Sequence, residues 1–145
     1  MKAPARKTAP ELSKRTATVK AWIEAKPGAV AVPFPARKPL AVMYKVMGKI
    51  FAILSVRRTE NVILKCDPHL VTMLRDQYAG VGHRSHLDRR FWISVSLDAD
   101  VPNKEIRRLV SQSYVLVCAT LTDTQRAELD RQKSARKKWR NPGKR

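Results

Sequence analysis

His83 and His86, three residues apart with Asp88 close behind, are the side chains of this chain whose types and spacing could hold a metal ion. Three potential ligands in one loop do not make a centre without a fourth of defined position, and the neighbouring Arg84, Arg89 and Arg90 oppose a cation. No metal site and no cofactor is therefore expected. Nucleophilic chemistry would need an accessible thiolate. Cys66 and Cys118 are far apart, form no Cys-x-x-Cys pair and sit in apolar runs, where burial disfavours the charged form, so both read as reduced structural thiols. The five glycines never take the spacing of a phosphate-cradling loop. With no catalytic constellation left, the chain is expected to be non-enzymatic. The stretch from His83 to Trp92 retains one further reading, a small-ligand site lined by His86, Arg90 and Trp92. Trp92 itself could stand exposed for base stacking, but a strand tryptophan more commonly covers a helix, and that is the expectation here.

Cationic side chains are the other candidates, and they dominate. The 145 residues carry thirty Lys and Arg against twelve Asp and Glu, a net charge of +18. Both ends are basic: residues 1–20 hold six cations and one acid, and residues 123–145 hold nine and three. Such a surplus repels itself in a compact state and is best explained by a polyanionic partner. No run approaches the roughly 20 apolar residues of a membrane span, and no apolar signal core opens the chain, so a cytoplasmic protein with no membrane partner is expected. Pro4 and Pro10 interrupt any helix near the N-terminus, which makes 1–15 a basic disordered arm.

These residues must be positioned by the elements that the apolar pattern marks out. Thr16 to Ala25 has Val19, Trp22 and Ile23 at helical spacing, stopped by Pro27-Gly28. Ala29–Phe34, Leu40–Val46, Ile50–Val56 and Glu60–Cys66 are β-branched or aromatic runs with short connections, which predicts an antiparallel meander. Asp67-Pro68 caps a second helix that ends at Gly80. Phe91–Leu97 alternates as a fifth strand, with Phe91, Ile93, Val95 and Leu97 on one face. A helix from Asp100 or Pro102 presents Ile106, Leu109, Val110, Tyr114 and Val117. From Thr122 the chain is helical by propensity but nearly without an apolar face, so 123–145 reads as a basic C-terminal helix and tail, and 128–145 is expected to pack nothing.

Alternate loops of a meander share one end of the sheet. The first carries Arg37 and Lys38 and the third Arg57 and Arg58, so two basic hairpin tips are expected side by side, able to straddle a nucleic-acid backbone. Lys49 in the second loop faces the other way. In the last helix Arg126, Lys133, Lys137 and Arg140 fall at spacings of seven, four and three and share a face suited to tracking phosphates.

Several blocks, taken in order, resemble one family: Pro33-Phe34, Tyr44 to Ala52, Leu64-Lys65-Cys66-Asp67-Pro68, Arg90 to Val95, and Ser113-Tyr114. The chain is similar over roughly Thr16 to Thr122 to the MmcQ/YjbR family of small bacterial proteins. The resemblance implies an α+β fold in a CyaY-like arrangement with a double-wing motif, a motif taken to imply DNA binding. The loop from Gly82 to Trp92 departs from the Pro-Gly-Tyr-His and Asn-Lys-Arg-His-Trp patterns common in that family, and the basic arms lie outside the resemblance. The combined expectation is an α+β domain over 16–122 between basic arms, a monomer, cytoplasmic or nucleoid-associated, that binds DNA in preference to RNA. Its contacts would be Arg37, Lys38, Arg57, Arg58, Arg126, Lys133, Lys137 and Arg140. The alternatives are a module for an acidic protein partner, or a small-ligand binder using the His83 to Trp92 loop.

Overall fold

Ser13 starts the first helix. Its hydroxyl accepts the Thr16 amide at 3.1 Å and its carbonyl accepts the Ala17 amide at 2.9 Å, so α1 (Lys14–Glu24) begins two residues before Thr16, where the apolar spacing had placed it. The computed structural model describes residues 13–34, 41–56, 59–83 and 87–140, the side chains of 136–140 excepted. Glu60 fastens this helix start to the sheet: its carboxylate accepts from the Ser13 hydroxyl at 2.7 Å and from the Thr16 hydroxyl.

The four expected strands form as β1 (Ala29–Pro33), β2 (Ala41–Val46), β3 (Lys49–Ser55) and β4 (Asn61–Lys65), each antiparallel to the next. Met47 and Gly48, at φ 50° and 83°, make the two-residue turn between β2 and β3; both central positions of that turn need positive φ, which Gly48 meets without strain. Helix α2 (Pro68–Gln77) follows, with the Asp67 carboxylate accepting the His69 amide at 2.8 Å. Then come β5 (Val81–Gly82), β6 (Trp92–Ser96), α3 (Asn103–Cys118) and α4 (Asp123–Arg140). The sheet has six strands in the order β1-β2-β3-β4-β6-β5, so β6 returns beside β4 and β5 closes that edge. The fold is α+β, as the patterning predicts. Strand β5 escapes sequence reading because two residues cannot show a period.

The strand period of two sorts the sheet into unlike faces. Tyr44, Phe51, Leu54, Leu64, Ile93 and Val95 join one core with Val19 and Ile23 of α1, Val71 and Leu74 of α2, the α3 stripe and Leu129 of α4. The four helices of the described residues thus cover one face. On the other, Met43, Ile53, Ile63 and Ser94 stand in one register row. Trp92, the neighbour of Ile93 and in register with Lys65, belongs to this second face and among the described residues covers no helix, contrary to the sequence expectation. Phe91 also departs from it: the strand begins one residue later, and Phe91 lies in the preceding turn, 36% exposed, its amide donating to Asp88 O.

A register shift between Tyr44 and Lys45 puts Tyr44 opposite Ala52 and Lys45 opposite Ile50, so Phe51 is the extra residue of a bulge. The β3–β4 ladder ends there as well, at Ala52 opposite Leu64. Two backbone groups at the break are satisfied by one buried side chain of α3: the Ser113 hydroxyl donates to Phe51 O at 2.6 Å and accepts the Lys65 amide at 2.8 Å.

Helix α4 corrects the expectation that 128–145 packs nothing. Leu129 is only 2% exposed and sits on Gly28, where an added Cβ would come within 2.5 Å of its Cδ1. Gly28 is also at φ +77°, so it is required both by the turn and by the approach of α4. One apolar residue among charges produces no period, yet it anchors the helix. Leu129→Ala is expected to lower unfolding free energy by about 2–4 kcal/mol, as other leucine truncations in cores do. Urea denaturation measures it; a midpoint unchanged from the parent would mean that α4 is not docked.

Candidate nucleic-acid interface

Pro33, Ala41, Ser55 and Asn61 lie at one end of the sheet, with Phe34 N donating to Ala41 O and Ala41, Ser55 and Asn61 in successive register pairs. The connections carrying Arg37, Lys38, Arg57 and Arg58 leave from that end, but these four residues lie outside those described. Lys49, at the other end, is engaged: its Nζ donates to Thr120 O at 2.8 Å and to the Thr120 hydroxyl at 3.1 Å.

On α4, Arg126 and Lys133 are exposed. At 100° per residue the row Arg126, Lys133, Lys137 and Arg140 falls within about 80° of Leu129, the residue that faces the core. The row therefore runs beside the docked face and not opposite it. Consistent with this, the Arg126 guanidinium reaches back to Cys118 O at 3.3 Å, while Lys133 stands 3.9 Å from the Asp130 carboxylate. Lys137 and Arg140 continue the helix, and their side chains lie outside those described.

The His83 to Trp92 segment contributes to a groove different from the one its sequence suggests. Pro68, Val71, Thr72 and Arg75 of α2 face Arg89, Arg90 and Phe91 across a cavity of about 390 Å³. Arg90 is held from two sides. Its Nη2 and Nε donate to the Asp88 carboxylate at 2.7 and 3.1 Å, and its guanidinium lies 5.3 Å from the centre of the Phe91 ring. The Arg90 side chain, then its amide, hold the Asp88 carboxyl at about 2, below the usual carboxylate range. Arg75 Nη2 donates to Arg89 O at 3.0 Å, which fixes the turn against α2. Of the three residues expected to line a pocket here, Arg90 does so. Trp92 belongs to the helix-free face and is not among the lining residues, and His86 lies outside those described. His83 Nε2 is 2.6 Å from Leu87 O. Sequence reading missed Arg75, which looks like an ordinary basic residue in the last turn of a helix.

Cys66 is 1% exposed, and burial pushes its thiol up to about 11, so it is protonated at neutral pH and a poor nucleophile. Among the described residues no helix is long and apolar enough to cross a membrane.

The profile of the YjbR family matches residues 24–116, more than half of the sequence. The chain belongs to the YjbR family. Within it, the protein YjbR of Escherichia coli K12 is 38% identical over 77 residues, which cover 51% of this chain and 64% of the relative, and YjbR of the O157:H7 strain has the same identity and coverage. The match thus spans slightly less than two thirds of the length of these relatives. A Deinococcus radiodurans protein with the DUF419 domain superposes with a TM-score of 0.69 at 24% identity, covering 77% of this chain and 85% of that one. A Pseudomonas syringae protein superposes at 0.59, also at 24% identity, covering 72% and 98%. These two share the fold. The groove residues, Pro68 to Phe91, fall inside the YjbR match, whereas α4 with its basic row falls outside it.

Proposed function

We propose that this YjbR-family protein binds DNA by contact with the phosphate backbone, without catalysis and largely without regard to sequence, in the cytoplasm. The observation that carries this reading is the charge. Thirty cations face twelve carboxylates, so eighteen remain even if every carboxylate takes a partner. Side chains that neutralise phosphates release counterions, and an unpaired surplus of this size suits that role. Contacts to phosphates carry no sequence information, so affinity is expected to be sequence-tolerant.

The test is a fluorescence titration of duplex DNA with the parent and with Arg37→Ala, Lys38→Ala, Arg57→Ala and Arg58→Ala combined. If each of the four neutralises one phosphate, the slope of log K against log salt should flatten by roughly 3 to 4. Stability should hardly change, since charges in solvated turns contribute about 0–1 kcal/mol as a rule. Lys49→Ala, at the opposite end of the sheet, should weaken binding less. Equal losses from the two ends would refute the hairpin contacts, and no duplex binding by the parent would refute the function.

A further inference from the structure

We propose that the groove between α2 and the Arg89–Phe91 turn binds a nucleotide phosphate, either of a free nucleotide or of the 5′ end of a strand. This site stands separately from duplex binding, because it uses neither the hairpin connections nor α4. Three arginines, Arg75, Arg89 and Arg90, line the groove, and among the described residues no Asp or Glu does. Of the three, Arg90 has an acidic partner, Asp88. Among the described residues Arg75 and Arg89 form no ion pair, and Arg75 Nε is buried without a hydrogen-bond partner. That nitrogen is enclosed and is not itself reached from the groove, so the attraction rests on the charge of the arginines, whose planar fork matches phosphate oxygens.

The start of α2 is not the source of the attraction. Asp67 already accepts the His69 amide through its carboxylate and the Leu70 and Val71 amides through its carbonyl. The arginines must supply the binding. The rest of the wall is Pro68, Val71, Thr72 and Phe91, apolar but for the Thr72 side chain, with Phe91 36% exposed and the Arg90 guanidinium over its ring. A cavity of about 390 Å³ lies within the range of small-ligand pockets and exceeds what a phosphate ion fills. Paired cations beside an exposed aromatic suit a phosphate that carries a planar base, with the base on or beside Phe91.

The experiment is an amide-resolved NMR titration of the full chain with adenosine monophosphate, adenosine, inorganic phosphate, and a short oligothymidylate with or without a 5′-phosphate. Adenosine monophosphate is expected to shift the Thr72, Arg89 and Phe91 amides and to bind at least about tenfold more tightly than adenosine or inorganic phosphate. Arg89→Ala and Phe91→Ala should each weaken it about tenfold, while Lys104→Ala, an equal loss of charge on α3, should not. A gain from the 5′-phosphate on the oligonucleotide identifies strand ends as the source; a response to the monophosphate alone identifies free nucleotide. Equal affinity for adenosine and its monophosphate, equal affinity for inorganic phosphate, shifts confined to other residues, or indifference to Arg89→Ala in a folded variant would each overturn the proposal.

Discussion

Raising monovalent salt from about 50 to about 200 mM is expected to lower duplex DNA affinity by roughly three to four orders of magnitude, the loss that follows when six to eight phosphates are neutralised. The estimate comes from the candidate contacts. Arg37, Lys38, Arg57, Arg58, Lys133, Lys137 and Arg140 make seven, and Arg126 is the eighth, although its guanidinium already serves Cys118 O. Each neutralised phosphate contributes about −0.9 to the slope of log K against log salt, so a slope near −6 or −7 is expected. Fluorescence anisotropy with duplexes of unrelated sequence measures it, and curves for different sequences should nearly coincide at each salt concentration. An affinity that changes less than tenfold over that interval would exclude phosphate contact as the main source of binding.

Ser113→Ala is expected to cost about 2–4 kcal/mol of stability, far more than one hydroxyl on a helix suggests. The side chain is fully buried, donates to Phe51 O at 2.6 Å and accepts the Lys65 amide at 2.8 Å. Both backbone groups lie where the bulge interrupts the ladder, so neither has a strand partner to fall back on. Removing the hydroxyl leaves a buried acceptor and a half-buried donor unpaired, and such desolvation costs about 1–3 kcal/mol per group. Ser111→Ala on the same helix, which removes only an acceptor for Lys26 Nζ, should cost under about 1 kcal/mol. Urea unfolding of the two variants gives the comparison. A Ser113 loss no larger than that of Ser111 would mean that the bulge relaxes to pair its own backbone.

Elements whose signals are local were legible in the sequence. Helix α2 follows from Asp67-Pro68 and its apolar spacing, α3 from a stripe whose five members are all buried, and β1 to β4 from β-branched runs joined too briefly for anything but an antiparallel meander. The surplus of cations was equally plain, since charge is additive and needs no fold. Periodicity also implied that Trp92 opposes Ile93. It could not say which face of the sheet the helices would take, and Trp92 lies on the face opposite them.

Only the tertiary structure decided the rest, because those features depend on where one element meets another. Arg75 and Arg89 are fourteen residues apart and meet because α2 lies against the turn before β6. Ser113 bridges Phe51 and Lys65 because α3 crosses the sheet at the bulge, and Leu129 reaches Gly28 because α4 folds back along the helical layer. The sequence by itself determined the elements, their apolar faces and the excess of positive charge, all properties of a segment against a generic interior or solvent. The arginine groove, the satisfied bulge and the docked C-terminal helix are contacts between distant segments, set by packing geometry that no single segment encodes.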